Sequence, residues 1–121
     1  MTDISKHHKK ALLSYSVCLA DGFVKKDGTS PIRLRVIASR KKTELNLSLS
    51  WPKEYFDKKT QRCLPRYSGD KADCEAANIL IEDAKSRASR IVMRYYANDK
   101  VLDLENFVKE FQDYKSRENL L

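Results

Sequence analysis

The stretch Pro31-Ile32-Arg33-Leu34-Arg35-Val36-Ile37-Ala38-Ser39-Arg40-Lys41-Lys42-Thr43-Glu44-Leu45-Asn46-Leu47-Ser48-Leu49-Ser50 decides the fold. Successive side chains of a strand point to opposite faces, so a hydrophobic period of two marks a sheet with one buried side. Over residues 32–38, Ile32, Leu34 and Val36 share one face, and Arg33, Arg35 and Ile37 the other. A polar turn, Ser39-Arg40-Lys41, leads into a strand over residues 42–50. There Thr43, Leu45, Leu47 and Leu49 alternate with Glu44, Asn46, Ser48 and Ser50.

Upstream, residues 12–20 repeat the pattern, with Leu13, Tyr15, Val17 and Leu19 opposite Ser14, Ser16 and Cys18. Asp21-Gly22 and Lys25-Lys26-Asp27-Gly28-Thr29-Ser30 are turn chemistry, in which Gly supplies positive φ. Pro31 is expected to open the second strand, where its missing N–H does least harm. Three amphipathic strands joined by tight turns predict an antiparallel meander with one aliphatic face and one polar face.

Downstream, Trp51-Pro52-Lys53-Glu54-Tyr55-Phe56-Asp57 breaks the alternation, and its aromatic residues are expected to pin the end of the sheet. Residues 58–69 read as a basic, turn-rich loop. Asp70 is placed to cap a long helix reaching about residue 96, in which Ala77, Ile81, Ala84, Ala88, Ile91 and Tyr95 form an apolar stripe. The small alanines let that helix sit close to the sheet, burying Leu34, Val36, Leu45 and Leu47. Asn98-Asp99 ends it. Asp103 is placed to cap a second helix whose Leu104, Phe107, Val108, Phe111 and Tyr114 share a face. The expected class is α+β: a three-stranded antiparallel β-sheet packed on a long α-helix, followed by a shorter C-terminal helix.

The chain has 121 residues, with 24 Lys+Arg against 17 Asp+Glu and a formal charge of +7. That length suits one small domain with a short appendage. The excess charge is not spread evenly. Residues 1–66 carry 15 Lys/Arg and 6 Asp/Glu, a net +9, whereas residues 67–121 carry 9 and 11, a net −2. A basic half joined to a near-neutral half reads as a binding face on a scaffold, and it points to an anionic partner. No apolar run suits a membrane span, and no apolar core follows the basic N-terminus as in a secretory leader, so a cytoplasmic location is expected.

Catalytic chemistry has little to work with. The two histidines, His7 and His8, are adjacent in a basic arm over residues 1–10 that reads as mobile. The three glycines, at 22, 28 and 69, are scattered and form no phosphate loop. Cys18, Cys63 and Cys74 form no CxxC pair, and Cys18 reads as a small buried residue. The chain is therefore expected to be no enzyme and to need no cofactor, metal or small-molecule substrate.

A narrow antiparallel sheet fits a DNA major groove, and its outward side chains then reach base edges. Arg33 and Arg35 lie two residues apart, projecting from one face about 7 Å from each other. Asn46 and Ser48, with Glu44, share that face across the hairpin. Lys25, Lys26, Arg40, Lys41 and Lys42 lie in turns where they could neutralise phosphates. The competing reading pairs Arg33 and Arg35 with Glu44 on a merely solvated sheet.

Lys26-Asp27-Gly28-Thr29-Ser30-Pro31-Ile32-Arg33-Leu34-Arg35-Val36, the basic hairpin, Leu47-Ser48-Leu49 and Trp51-Pro52-Lys53-Glu54-Tyr55-Phe56-Asp57 together resemble one known family. It is the N-terminal arm-type DNA-binding domain of tyrosine recombinases, above all integrases of phages and conjugative transposons from Bacteroides-like bacteria. The resemblance spans roughly residues 12 to 115. One departure is that Tyr55-Phe56-Asp57 stands where the family usually has Trp before Asp, and Trp51 lies earlier. The resemblance implies a non-catalytic domain over residues 11–100 that grips arm-type duplex sites of a mobile element, with other recombinase protomers as neighbours. It also implies that residues 101–121 begin the connection to a core-binding domain. The family's catalytic Arg, His-x-x-Arg and Tyr set has no counterpart here, so the chain reads as the N-terminal piece of an integrase. Two rival functions are an RNA-binding module and a protein-interaction domain docking through Phe107, Phe111 and Tyr114.

Overall fold

The computed structural model describes residues 13–120, with side chains described through Asp113. The basic arm of residues 1–10, Leu12 and the Tyr114 side chain lie outside the described residues. Strands β1 (Ser14–Leu19), β2 (Thr29–Ala38) and β3 (Lys41–Pro52) form an antiparallel sheet in the order β1-β2-β3. A short antiparallel hairpin follows, β4 (Phe56–Asp57) and β5 (Arg62–Cys63), with Phe56 opposite Cys63 and Asp57 opposite Arg62. Two helices complete the chain, α1 (Lys71–Ala97) and α2 (Leu104–Leu120). The expected α+β class is the observed one.

The predicted strands are right in kind and short or long at their ends. β2 begins two residues before Pro31, which is buried inside it, because Asp27 nucleates the extended backbone early. Its Oδ1 accepts from the Thr29 N–H at 3.0 Å and the Thr29 hydroxyl at 2.7 Å, while Gly28 turns the chain at φ 86°. The β2–β3 turn is Ser39-Arg40 alone, both at positive φ, 51° and 68°. This is the two-residue turn whose twist suits a hairpin. β3 runs on through Trp51 and Pro52, so these residues continue the strand that they were expected to end.

The chain divides into two compact units. One comprises Ser16–Arg35 and Glu44–Lys85, and the other includes Val36–Thr43 and the residues from Ser86 onward. In the first unit Val17, Leu19, Ile32, Leu34, Leu45, Trp51, Phe56, Ala77, Ile81 and Ala84 are buried. Each large apolar side chain removed from water contributes about 1.5–3 kcal/mol. Leu47, expected in this core, is only half-buried, because Ser48 at φ 58° breaks the extended backbone beside it. Trp51 is held by its indole N–H, which donates to Leu64 O at 3.0 Å, and by the Arg66 guanidinium 4.1 Å above its ring. Tyr55 stays exposed, so Trp51 and Phe56 do the pinning.

The segment over residues 58–69 is not all loop, since β5 lies within it. Its two rungs are too few to show a period, and α1 supplies what they lack. Cys63 N–H donates to Asn78 Oδ1 at 2.7 Å, and Asn78 Nδ2 donates back to Cys63 O at 3.1 Å. Asp70 sits where a helix cap belongs, but its buried carboxylate is taken by Arg66. It accepts from Arg66 Nε and Nη2, both at 2.7 Å, and from the Arg66 backbone N–H at 2.9 Å. Those hydrogen bonds hold the Asp70 carboxyl below its ordinary pKa despite burial.

In the second unit Val36, Ala38, Ala88, Ile91, Leu102, Phe107 and Phe111 are buried. α1 ends in a Schellman motif: Lys100 N–H reaches Tyr95 O at 2.9 Å and Asp99 N–H reaches Tyr96 O at 3.1 Å, with Asp99 at φ 54°. Asp103 caps α2 as expected, accepting from Asn106 N–H at 2.8 Å. α2 is tied to α1 by Glu110, which pairs with Arg94 and accepts from the Tyr95 hydroxyl. Phe107 and Phe111 stack at 5.9 Å between ring centres.

Candidate nucleic-acid interface

The outward face of the sheet is built around one carboxylate. Glu44 Oε2 accepts from Arg35 Nε at 3.1 Å and Nη2 at 3.0 Å, and Glu44 Oε1 accepts from Arg33 Nη1 at 3.3 Å. Counted back from the two-residue turn, Glu44 stands directly opposite Arg35, which explains why that pair is the closer. The side chains of Arg33, Arg35 and Glu44 keep 33%, 41% and 25% of their exposure, so water reaches all three. Burial raises the Glu44 carboxyl, and the hydrogen bonds from Arg35 and Arg33 outweigh it, leaving its pKa below the ordinary value. Glu44 is thus charged at neutral pH and holds two guanidinium forks on one side of the sheet.

Cys18 lies on this face too. It is half-buried, where the sequence suggested full burial, and its thiol is pushed up first by that burial and then by Glu44. Asn46 and Ser48 are exposed on β3, and Asn46 Oδ1 accepts from the Ser48 N–H at 2.9 Å. Asn46 therefore shapes the kink at Ser48. Lys25 Nζ donates to Ser50 Oγ at 2.7 Å, tying the β1–β2 loop to β3, and Lys26 beside it is exposed. Arg40, Lys41 and Lys42 are exposed on the β2–β3 turn, which belongs to the second unit.

So Arg33 and Arg35 are gathered with Glu44, and Lys25 is bound to the end of β3. The pairing with Glu44 is the one the solvated-sheet reading foresaw. Sequence reasoning missed the β4–β5 turn. Its Asp57 Oδ1 accepts from Lys59 N–H at 3.0 Å, and Gln61 sits at φ 58°. The signal was the Asp57-Lys58-Lys59-Thr60 turn composition between two aromatic-or-Cys flanks. The docking stripe expected at Phe107 and Phe111 is corrected: both rings are buried, because α2 folds back on α1. Among the described residues no group of three His, Cys, Asp or Glu could hold a metal, and no helix is long and apolar enough to cross a membrane.

Compared with known families, residues 19–108 match the one described as the Arm DNA-binding domain. No curated protein and no solved structure matches the chain.

Proposed function

Because the chain belongs to the Arm DNA-binding domain family, we propose that it is the non-catalytic module by which a site-specific tyrosine recombinase grips arm-type duplex sites of a mobile element. The sheet enters the major groove, whose roughly 12 Å width admits a β-ribbon. Arg33 and Arg35 read bases, assisted by Asn46 and Ser48, while Lys25, Lys26, Arg40, Lys41 and Lys42 neutralise phosphates. Other recombinase protomers are its neighbours in the assembled complex, and the setting is cytoplasmic.

The observation that carries this reading is the pair of guanidinium forks held by Glu44 on the water-facing side of the sheet. A fork matches the O6 and N7 acceptors of guanine, and holding it in place lowers the entropy lost on contact. RNA is the weaker partner, because the outward positions of β1 and β2 carry Ser14, Ser16, Cys18, Arg33, Arg35 and Ile37 and no aromatic ring for base stacking.

Fluorescence titration with duplex DNA and with single-stranded RNA, over a salt series, tests the reading. Duplex affinity is expected to fall linearly in log–log form as salt rises, because bound counterions are released. A flat salt response, or preference for RNA, overturns it.

A further inference from the structure

The turn of the second hairpin reaches the open edge of β1. Gln61 Oε1 accepts from Val17 N–H at 2.8 Å, and Lys58 Nζ pairs with Asp21 Oδ2 at 3.0 Å. Between this turn and the sheet lies an open groove of about 300 Å³. Ser16, Cys18 and Arg35 line one side, and Phe56, Lys58 and Gln61 the other. Arg35 therefore faces this groove as well as Glu44. Asp21 is the one carboxylate among its lining residues, and Lys59, exposed, follows Lys58 on the turn.

The lining has the chemistry of an anion seat: two cations from different elements, a hydroxyl, an amide and a small apolar floor. From this we propose that the groove seats a phosphodiester of the duplex backbone, with Lys58 as its cationic partner in the lining and Lys59 beside it on the turn. It rests on the DNA-binding reading above and widens the contact beyond the three-stranded sheet. A compact ammonium suits a phosphate as a point charge, whereas the guanidinium fork serves geometry. Lys58 exchanges Asp21 for the phosphate. Both ends of that pair are solvated, with side-chain exposures of 68% and 36%, so the exchange meets little resistance. Contacts of this kind position the duplex and carry no sequence information.

The test uses the full chain, with Lys58→Gln and Lys59→Gln combined, titrated on a preferred and a scrambled duplex across a salt series. The groove seat predicts a several-fold loss of affinity, equal on both duplexes, with the log–log salt slope reduced by about one per lysine. A second readout is alkylation of Cys18 by N-ethylmaleimide, followed by mass; Cys63 and Cys74 are buried. Duplex DNA should slow Cys18 labelling several-fold, and inorganic phosphate at the same phosphate concentration should not. If the unmodified chain binds duplex while the variant keeps its affinity and slope, the seat is wrong and the DNA-binding reading stands. Weakened binding without protection of Cys18 places the lysines outside the groove and also overturns the seat. Failure of the unmodified chain to bind any duplex removes the reading and the seat together.

Discussion

Asn78 holds Cys63 by both of its backbone groups, accepting from the N–H at 2.7 Å and donating to the carbonyl at 3.1 Å. A side-chain carboxamide thus does for β5 what a neighbouring strand would do. Two-stranded hairpins are marginal by themselves, so this helix-borne surrogate is what fixes the Lys58–Gln61 turn in place.

Asn78→Ala removes both bonds and strands the buried Cys63 N–H, while the Cys63 carbonyl keeps the Cys74 thiol at 3.1 Å. It should lower stability by about 1–3 kcal/mol. Urea unfolding checks this: the midpoint should fall while the denaturant slope stays the same.

Asp70 gives stability a pH dependence. Its carboxyl is held below the ordinary 3.8 first by the Arg66 side-chain hydrogen bonds, so the unfolded chain binds the proton more readily than the folded one. Stability from this pair is complete above the ordinary value and drains away as pH falls through the depressed folded one. Thermal midpoints measured from pH 7 down to pH 2 should drop for the natural chain. Asp70→Asn should start lower at neutral pH and lose less on acidification. Identical acid limbs in the two proteins would remove Asp70 as the source.

Arg35 and Glu44 separate base reading from charge. Arg35→Lys keeps the charge and loses the fork, so it should lose about 1–3 kcal/mol on the preferred duplex and little on a scrambled one. Glu44→Gln should raise affinity for scrambled duplex by removing a negative charge. It should also narrow the preference, because the forks lose the carboxylate that orients them. If the arginines only decorate a wet surface, neither change matters, since exposed pairs contribute about 0–1 kcal/mol.

Ser39 and Arg40 occupy left-handed backbone without the residues that favour it. Asn followed by Gly is the sequence such a turn prefers. The double change Ser39→Asn, Arg40→Gly should therefore raise unfolding stability by about 1 kcal/mol, since left-handed strain of roughly 1–2 kcal/mol per residue is partly offset by glycine's unfolded-state freedom. The same change should weaken duplex binding and reduce its salt slope by about one, as Arg40 is proposed to hold a phosphate. Calorimetry and titration on one protein sample check both halves.

The three strands and the α1 stripe were legible because their periods, two and three-to-four, persist over several repeats. Ile32, Leu34, Val36, Ala77, Ile81, Ala84, Ala88 and Ile91 are all buried as the pattern required. The Arg33–Arg35–Glu44 cluster was legible for the same reason, once the hairpin register was counted. β4 and β5 were not, because two residues cannot display a period. Asn78 was hidden as well: a polar residue in a helix betrays no partner fifteen positions back. Asp70 marked the right boundary but bonds Arg66, whose guanidinium also lies over the Trp51 ring, a neighbour that the local pattern does not reveal. The α2 stripe was read correctly as apolar, yet pattern alone does not say whether such a face is covered, and Phe107 is wholly buried.

The Gln61 amide on Val17 bears on how this domain behaves in company. An outer strand with unpaired N–H groups is a template on which a foreign chain can add itself. On β1 the Gln61 side chain occupies the Val17 position. On β3, the strand at the sheet's other end, Asn46 takes the Ser48 N–H at the kink, and Lys41 and Lys42 load the start of the strand with charge. Each margin of the sheet thus carries a device against edge-to-edge growth, while Arg33 and Arg35 on its broad face stay in reach of solvent. Separate copies of the chain are thereby discouraged from pairing strand to strand into fibres.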